Sequence, residues 1–330
     1  IKSRYPDIDI CYTQISDYLK KWQINSKEIE NQWADIDGFI FISGGYFGDS
    51  PNENYKNMYF RFKNYIRFGL KAKRKKIPMA VIGVGAGPMK NIILRQLVVS
   101  ICNYAKVISV RDKQSYIFLK KNGCKNEIFI TSDSAQAIRR KEFRRWEKSD
   151  KSYFMSDKRR ILVHCPTTIV REYKEKVIRT VDKLYKNDKS VEIYFANDSM
   201  AGRNNLEEMA SAFSGNNKSL YFYDDPIEFI HFIQEMDLII TPKLHVGIFS
   251  ATFGKAVISF PIHPGKTKRY YQQIGYPERC VPLSEVTEEQ VSIMVNQFIN
   301  NPIQLSDKIY KEAEKNFELL DWFIDKYIEF

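Results

Sequence analysis

Along the chain, short runs of uninterrupted apolar residues alternate with longer stretches whose apolar positions recur every three or four residues. The short runs fall at 8–12, 38–43, 79–84, 107–110, 127–131, 161–165, 192–195, 220–223, 238–240 and 256–260. Such runs, too short for a buried helix, read as strands covered on both faces. The longer stretches, at 55–73, 92–104, 113–121, 170–186, 206–213, 227–235 and 244–253, predict amphipathic helices. Strand and helix in alternation predict parallel sheets joined by crossover helices, an α/β fold. From 287 onward the pattern is helical, with Thr287 and Gln290 at capping-box spacing and Pro302 dividing two helices.

The chain has 330 residues, about twice a typical domain, so two domains are expected. The alternation breaks at 139–160, where RRKEFRRWEKSDKSYFMSDKRR carries ten basic and four acidic residues and no apolar period. That break predicts a first domain at 1–140, a basic linker at 141–160, a second domain at 161–285 and C-terminal helices at 286–330. Solvation alone accounts for the linker's charge, although an anionic partner would suit it too. No internal repeat stands out beyond the βα alternation.

Composition narrows the class. At 44% hydrophobic and 28% charged residues, the chain is neither disordered nor of low complexity. Lys and Arg total 51 against 40 Asp and Glu, a net charge of +11, which favours anionic partners: nucleic acid, an acidic membrane surface or phosphorylated substrates. Abundant Lys, Ile, Asn, Tyr and Phe are also what AT-rich coding produces, so part of that charge carries no functional meaning. Cys11, Cys102, Cys124, Cys165 and Cys280 are odd in number and form no CxxC pair. They argue against a disulfide framework or a cysteine-built zinc site and fit a reducing cytoplasm. No apolar run approaches the roughly 20 residues of a membrane span, and there is no signal-peptide pattern. The chain opens at Ile1 rather than Met, so a trimmed N-terminus is expected.

Four loops that follow apolar runs can carry chemistry. In Gly83-Val84-Gly85-Ala86-Gly87-Pro88, glycines allow backbone N–H groups to approach an anion, with Pro88 suited to a first helical turn. A tight strand-to-helix turn explains the same residues. The spacing is not GxGxxG and no acid closes a second strand, so a dinucleotide site is not expected. In Ser43-Gly44-Gly45-Tyr46-Phe47-Gly48-Asp49, Asp49 is placed either for a substrate hydroxyl or as a loop cap. In Thr241-Pro242-Lys243-Leu244-His245, Thr241 reads as a helix cap, Pro242 as the first helical position, and Lys243 and His245 as first-turn residues. A cation at a helix N-terminus makes an anion site, and a histidine there can act as an acid near neutral pH. A lone histidine at a helix start is more often structural; here position, cation and dipole converge on function. Lys243 and His245 diverge on an ideal helix, so both meet one ligand only if Lys243 sits at its irregular end. The fourth segment, 259–269, reads as a loop whose Lys266, Lys268 and Arg269 suit a phosphate or carboxylate. His263 and His164 are weaker candidates, and His231 reads as helix filler.

Taken in order, these motifs resemble the polysaccharide pyruvyl transferase family. The resemblance runs through Gly38-Phe39-Ile40, Gly44-Gly45, Asp49 and the 83–88 loop, then Ile108-Ser109-Val110-Arg111-Asp112 with Ser115 and Ser132-Asp133-Ser134-Ala135. It continues through Lys243-Leu244-His245 and Lys266 ahead of Gln273-Ile274-Gly275, covering most of 38–275. The resemblance implies two Rossmann-like domains with a central cleft, similar to the GT-B glycosyltransferase fold. It also implies transfer of the enolpyruvyl skeleton of phosphoenolpyruvate onto two hydroxyls of a polysaccharide or lipid-linked sugar, leaving a pyruvate ketal and phosphate.

On that footing the second domain takes the donor, through Lys243, Lys266, Lys268 and Arg269, and His245 is the expected acid. The first takes the acceptor along Gly44, Gly45, Gly85, Gly87, Arg111 and Asp112, with Asp49 orienting or deprotonating a hydroxyl; Asp112 and Asp133 are lesser candidates for that role. Arg111 with Asp112 reads equally well as a buried structural ion pair. Phosphoenolpyruvate is a co-substrate, and no cofactor or metal is expected. Two departures from the family pattern stand out. Lys243 replaces the family's arginine, keeping the charge but losing its bidentate geometry. The family's first strand and Gly-rich loop, ahead of Tyr5-Pro6-Asp7, are missing.

A lipid-linked acceptor would bring the chain to the inner face of the cytoplasmic membrane as a peripheral protein, with 71–76 (KAKRKK) and the linker in contact. Three other readings remain open. A nucleotide-sugar glycosyltransferase would need a ribose-binding carboxylate, for which Glu207 and Glu208 are the candidates. A non-catalytic anion-binding protein would use the net charge, although the aromatic-interleaved signatures of RNA modules are missing and no nucleic acid is expected. An inactive family member would follow from the change at Lys243.

Overall fold

The structure, a computed structural model, describes residues 1, 4–13, 27–28, 33, 35–49, 53–139 and 157–328. The expected linker at 141–160 lies almost wholly outside the described residues. Eleven strands are described, all paired in parallel. β1 (Cys11–Tyr12) pairs with β2 (Lys27–Glu28). β3 (Phe39–Phe41), β4 (Met79–Val84), β5 (Val107–Val110) and β6 (Phe129–Ile130) form a sheet in chain order. β7 (Arg159–His164), β8 (Val191–Ala196), β9 (Lys218–Tyr221), β10 (Leu238–Thr241) and β11 (Ala256–Ser259) form a second sheet of order β11-β10-β7-β8-β9. The second sheet therefore reverses direction between β7 and β10, and at such a switch point the loops leaving adjacent strands part to opposite faces and open a crevice.

Helices cover the sheets. α1 (Tyr55–Arg61) runs through a π turn at Phe62–Ile66 into α2 (Arg67–Arg74); α3 is Ile92–Tyr104 and α4 Lys113–Lys121. α5 (Arg171–Tyr173) passes through a second π turn, Lys174–Ile178, into α6 (Arg179–Tyr185). α7 (Arg203–Ala210), α8 (Pro226–Gln234), α9 (Leu244–Thr252), α10 (Pro264–Gln273), α11 (Glu288–Phe298) and α12 (Asp307–Tyr327) follow. β4, β5, β10 and β11 are buried at every residue, the two-sided cover that their uniform apolarity predicts. Side-chain caps set several helix starts: Asn54, Asn91, Asp112 and Asp225 each accept a backbone N–H, and Thr287 with Gln290 forms the expected capping box.

Two expectations of the sequence require correction. The segment 259–269 is not a loop throughout, since α10 begins at Pro264 with His263 at its N-cap. The C-terminal helices are not one appendage either. The chain divides into one unit of Ile1–Ser134 with Tyr310–Phe330 and another of Ala135–Ile309. In the second unit, Val291, Val295 and Phe298 of α11 join the core that contains Ile161, Val163, Ile193 and Ile258. In the first, Leu320, Phe323 and Ile324 of α12 cover Ala80, Ile82 and Val107 on one face of the sheet. The other face packs Phe41, Val81 and Ile108 against Ile66, Phe68, Val98 and Ile101. A buried amide fixes α12 in place. Asn316 Oδ1 accepts from Ser109 Oγ at 2.7 Å and Thr131 Oγ1 at 2.9 Å, while Nδ2 donates to the Ser132 carbonyl at 2.9 Å.

Candidate functional site

In the first unit, the loops leaving β3 and β4 bond to each other. Gly85 N–H donates to the Gly44 carbonyl at 2.8 Å, Gly87 N–H to the Phe47 carbonyl at 2.7 Å and Ala86 N–H to Ser115 Oγ at 2.8 Å. The 83–88 loop is therefore no anion cradle, because the N–H groups such a cradle requires are already committed. Nor does Pro88 open a helix: α3 starts at Ile92 behind its Asn91 cap. The glycines serve close approach instead. A Cβ on Gly85 would stand 2.9 Å from Arg111 Nε, and Gly87 has φ +69° with the Phe118 ring 2.5 Å from where a Cβ would lie. Gly44 is crowded in the same way by the Tyr46 ring, and Gly45 is half-buried in the turn.

Asp49 is tied into this structure rather than open. Its Oδ2 accepts from the Lys90 N–H at 2.6 Å and its Oδ1 lies 3.4 Å from Arg61 Nη1. Arg61 also meets Glu53 through two bonds of 2.6 and 3.0 Å. Arg111 pairs with Asp133 at 2.8 Å, not with Asp112, whose carboxylate caps α4 by accepting from Ser115 N–H at 2.7 Å. The structural pair expected of Arg111 exists, with a different carboxylate.

The second unit gathers its chemistry at the switch point between β7 and β10. His164 ends β7, Asp198 lies just past β8, Thr241 ends β10, and Lys243 is the N-cap of α9. The sequence expectation shifts here by two residues: Thr241 and Pro242 precede the cap, and Leu244 is the first helical residue. Lys243, at φ −107° and ψ 136°, has the irregular backbone that the divergence argument demanded. His245 is exposed in the first turn.

Thr241 Oγ1 organises this corner. It accepts the Lys243 N–H at 3.0 Å, donates to the Lys243 carbonyl at 3.5 Å and lies within hydrogen-bond distance, 3.0 Å, of His164 Nδ1. Donor and acceptor in that last contact follow the imidazole tautomer, which leaves Nε2 as the ring's other nitrogen. That Nε2 is buried without a hydrogen-bond partner, 3.8 Å from Asp198 Oδ1, which in turn is 3.5 Å from Lys243 Nζ. Burial drives the His164 pKa from 6.5 down to about 4, opposed by the Asp198 carboxylate and assisted by Lys243. His164 is thus a neutral imidazole at pH 7, and Asp198 balances the half-exposed ammonium of Lys243.

β11 runs beside β10 in register, Thr241 opposite Ser259, and Phe260 N–H donates to the Thr241 carbonyl at 3.0 Å. Lys266, exposed in the first turn of α10, consequently starts from the same sheet edge as Lys243. The Lys268 ammonium lies 3.2 Å from Glu285. Arg269 is half-buried on the same helix, His263 is exposed at the cap and His231 is half-buried in α8. Glu207 and Glu208 are exposed on α7, with Glu207 3.9 Å from Arg203. Sequence reasoning missed Asp198, an acid two residues beyond a strand at the ligand-facing sheet edge. Only its juxtaposition with His164 and Lys243 marks it out.

The family model for polysaccharide pyruvyl transferase matches residues 1–264. The sequence matches no curated protein. Among solved structures, the chain is similar to UDP-GlcNAc 2-epimerase from Methanocaldococcus jannaschii in complex with UDP-GlcNAc and UDP. There the identity is 15% and the TM-score 0.59, over 87% of this chain and 76% of that one. The Neisseria meningitidis epimerase bound to UDP-GlcNAc gives 13% and 0.56 over 87% and 76%, and the Rickettsia bellii epimerase gives 13% and 0.57 over 88% and 74%. At these identities the likeness is one of fold, that of two Rossmann-like domains.

Proposed function

The chain belongs to the polysaccharide pyruvyl transferase family, and from that premise we propose that it is a transferase using phosphoenolpyruvate. It joins the enolpyruvyl skeleton to two hydroxyls of a sugar acceptor, giving a cyclic pyruvate ketal and phosphate. One observation carries the donor assignment. At the switch point, Lys243 caps α9 beside the exposed His245, and Lys266 opens the neighbouring α10. An ammonium joined to the N–H groups of a helix start suits the phosphate and carboxylate of such a donor.

The chemistry is assigned as follows. His245 protonates the methylene carbon of the donor, converting it to a methyl group and leaving positive charge on the adjacent carbon. One sugar hydroxyl oxygen bonds to that carbon. The second then displaces phosphate, breaking its carbon–oxygen bond. Of the two hydroxyl protons, one restores His245 and the other leaves with phosphate. Lys243 and Lys266 hold the anionic donor, and Lys243 stabilises the charge on the departing phosphate. Asp198, 3.5 Å from the Lys243 ammonium, holds it in the absence of donor and gives it up to the phosphate.

On the acceptor side, the commitments of Asp49 to Arg61 and the Lys90 N–H favour a part in holding the 43–49 loop in shape over a part as base. An acceptor carried on a lipid pyrophosphate would set the reaction at a membrane surface in the cytoplasm.

Calorimetric titration with phosphoenolpyruvate tests this reading beside UDP-sugars. Saturable binding is expected, weakened roughly ten-fold or more at low salt in Lys243→Ala or Lys266→Ala, since each loses a charge-assisted hydrogen bond. His245→Ala is expected to bind the donor without turning it over. Binding of a UDP-sugar with none of phosphoenolpyruvate would replace the proposal with a nucleotide-sugar reaction.

A further inference from the structure

Large apolar side chains crowd the outside of the first unit at one place. Tyr55, Tyr59 and Phe60 of α1 are 87%, 65% and 53% exposed, and Ile92 and Ile93 opening α3 are 64% and 71% exposed. The two segments adjoin: Asn91 Nδ2 donates to Met58 Sδ at 3.5 Å, and Asp49 bridges Arg61 to the Lys90 N–H. Further along, Lys73 Nζ donates to Ser100 Oγ at 2.7 Å, so the two helices run side by side from the same edge.

Charge within these two segments has one sign. Residues 54–76 contain nine Lys or Arg and no Asp or Glu, and residues 88–104 add Lys90 and Arg95, again with no acid. The inner side of α1 and α2 buries Arg61, Ile66, Phe68, Gly69 and Ala72. The outer side exposes Lys56, Lys63, Arg67 and Arg74 in line with Tyr59 and Phe60, and Lys90 is exposed next to the isoleucines. A solvated helix face ordinarily mixes charges of both signs and carries few large apolar groups. Cations interleaved with Tyr, Phe and Ile are the composition of a helix lying in the headgroup layer of a bilayer.

We propose that α1, α2 and the first turn of α3 form a docking face for an anionic lipid bilayer. The cations meet lipid phosphates, Tyr55, Tyr59 and Phe60 sit at headgroup depth, and Ile92 and Ile93 reach the acyl boundary. The isoleucines decide for lipid over a polysaccharide chain, because stacking on sugar rings uses aromatic faces and gains nothing from two exposed aliphatic side chains. The choice of a lipid surface agrees with the lipid-carried acceptor of the functional reading and rests on that reading only there. The face itself stands on exposure and charge.

Sedimentation with phosphatidylcholine vesicles, with and without about 30 mol% phosphatidylglycerol, tests it, and salt from about 0.05 to 0.5 M tests the charge contribution. Binding is expected to the anionic vesicles alone and to fall steeply as salt rises. Lys63→Gln with Arg67→Gln is expected to weaken it about 25-fold, about five-fold per cation. Ile92→Ser with Ile93→Ser is expected to weaken binding at every salt concentration. No sedimentation with anionic vesicles at low salt overturns the proposal. Unchanged binding in both variants also overturns it, as does equal retention by a soluble anionic polysaccharide that competes the vesicles away. Phosphoenolpyruvate titration of the same variants reports separately on the functional reading and is expected to be unaffected.

Discussion

Replacing His164 with Asn tests the electrostatics of the switch point through stability. The asparagine side chain reaches Thr241 Oγ1 much as Nδ1 does at 3.0 Å, but it does not titrate. In the native protein burial holds the His164 pKa at about 4 against 6.5 when unfolded. Between those values the unfolded chain binds a proton that the folded chain refuses. The contribution is therefore neutral above about pH 6.5, grows unfavourable as pH falls, and is fully developed below about pH 4. At about 1.4 kcal/mol per pH unit across that window, the fully developed loss amounts to between about 3 and 4 kcal/mol, or a factor of roughly 300 in the opening equilibrium. Hydrogen exchange of the β7 amides reads that equilibrium within the second unit. Comparison with His164→Asn at each pH cancels intrinsic exchange and every other titrating group. Relative to the variant, the wild type is expected to lose about two orders of magnitude of protection between pH 7 and pH 4, on the same principle of linkage. A ratio that does not change with pH would refute the buried neutral imidazole.

Three other outcomes are expected. Lys243→Arg, which restores the guanidinium of the family motif, is expected to bind phosphoenolpyruvate at least as tightly as wild type, and Asp198→Asn to raise the affinity by removing a competing carboxylate; calorimetry measures both. Gly87→Ala is expected to cost about 1–3 kcal/mol, from its positive φ and the Phe118 contact, measured as a lowered midpoint in urea. Asn316→Leu removes the acceptor of Ser109 Oγ and the donor to the Ser132 carbonyl, while Thr131 Oγ1 keeps the Val110 carbonyl, and is expected to cost about 2–4 kcal/mol, visible as faster protease cleavage ahead of α12.

The sequence was most legible where a single local device sets an element. α3 and α4 match the expected 92–104 and 113–121 because Asn91 and Asp112 cap them in place, and β4 and β5 match because both faces are buried. α10 escaped because Lys266, Lys268 and Arg269 mask its buried Thr267, Tyr270 and Tyr271. His263 followed by Pro264 was the start signal that the charge concealed. The π turns, five residues each within longer helical stretches, leave no mark on a periodicity of three and four. In the site, the strand-end rule located Lys243 and His245, but pairing is spatial. Nothing in the order of residues says that Arg111 chooses Asp133 over its neighbour, or that Asp198 spans His164 and Lys243. The glycine motif at 83–88 left a tight turn and an anion cradle both open for a related reason, since only the folded partners reveal that the N–H groups of Gly85, Ala86 and Gly87 are already occupied.

The association of α12 with the first sheet also bears on how the protein is made. Leu320, Phe323 and Ile324 complete a core whose strands, β4 and β5, are finished by residue 110. During synthesis at about 5–20 residues per second, roughly 10–40 s separate the emergence of Ser134 from that of Tyr310. Over that interval Ala80, Ile82 and Val107 lack their cover and the Asn316 amide is not yet available to Ser109 and Thr131. The continuous unit Ala135–Ile309 has no such wait. The half encoded second is thus able to finish first, while the half encoded first keeps one face of its sheet uncovered until α12 has been made.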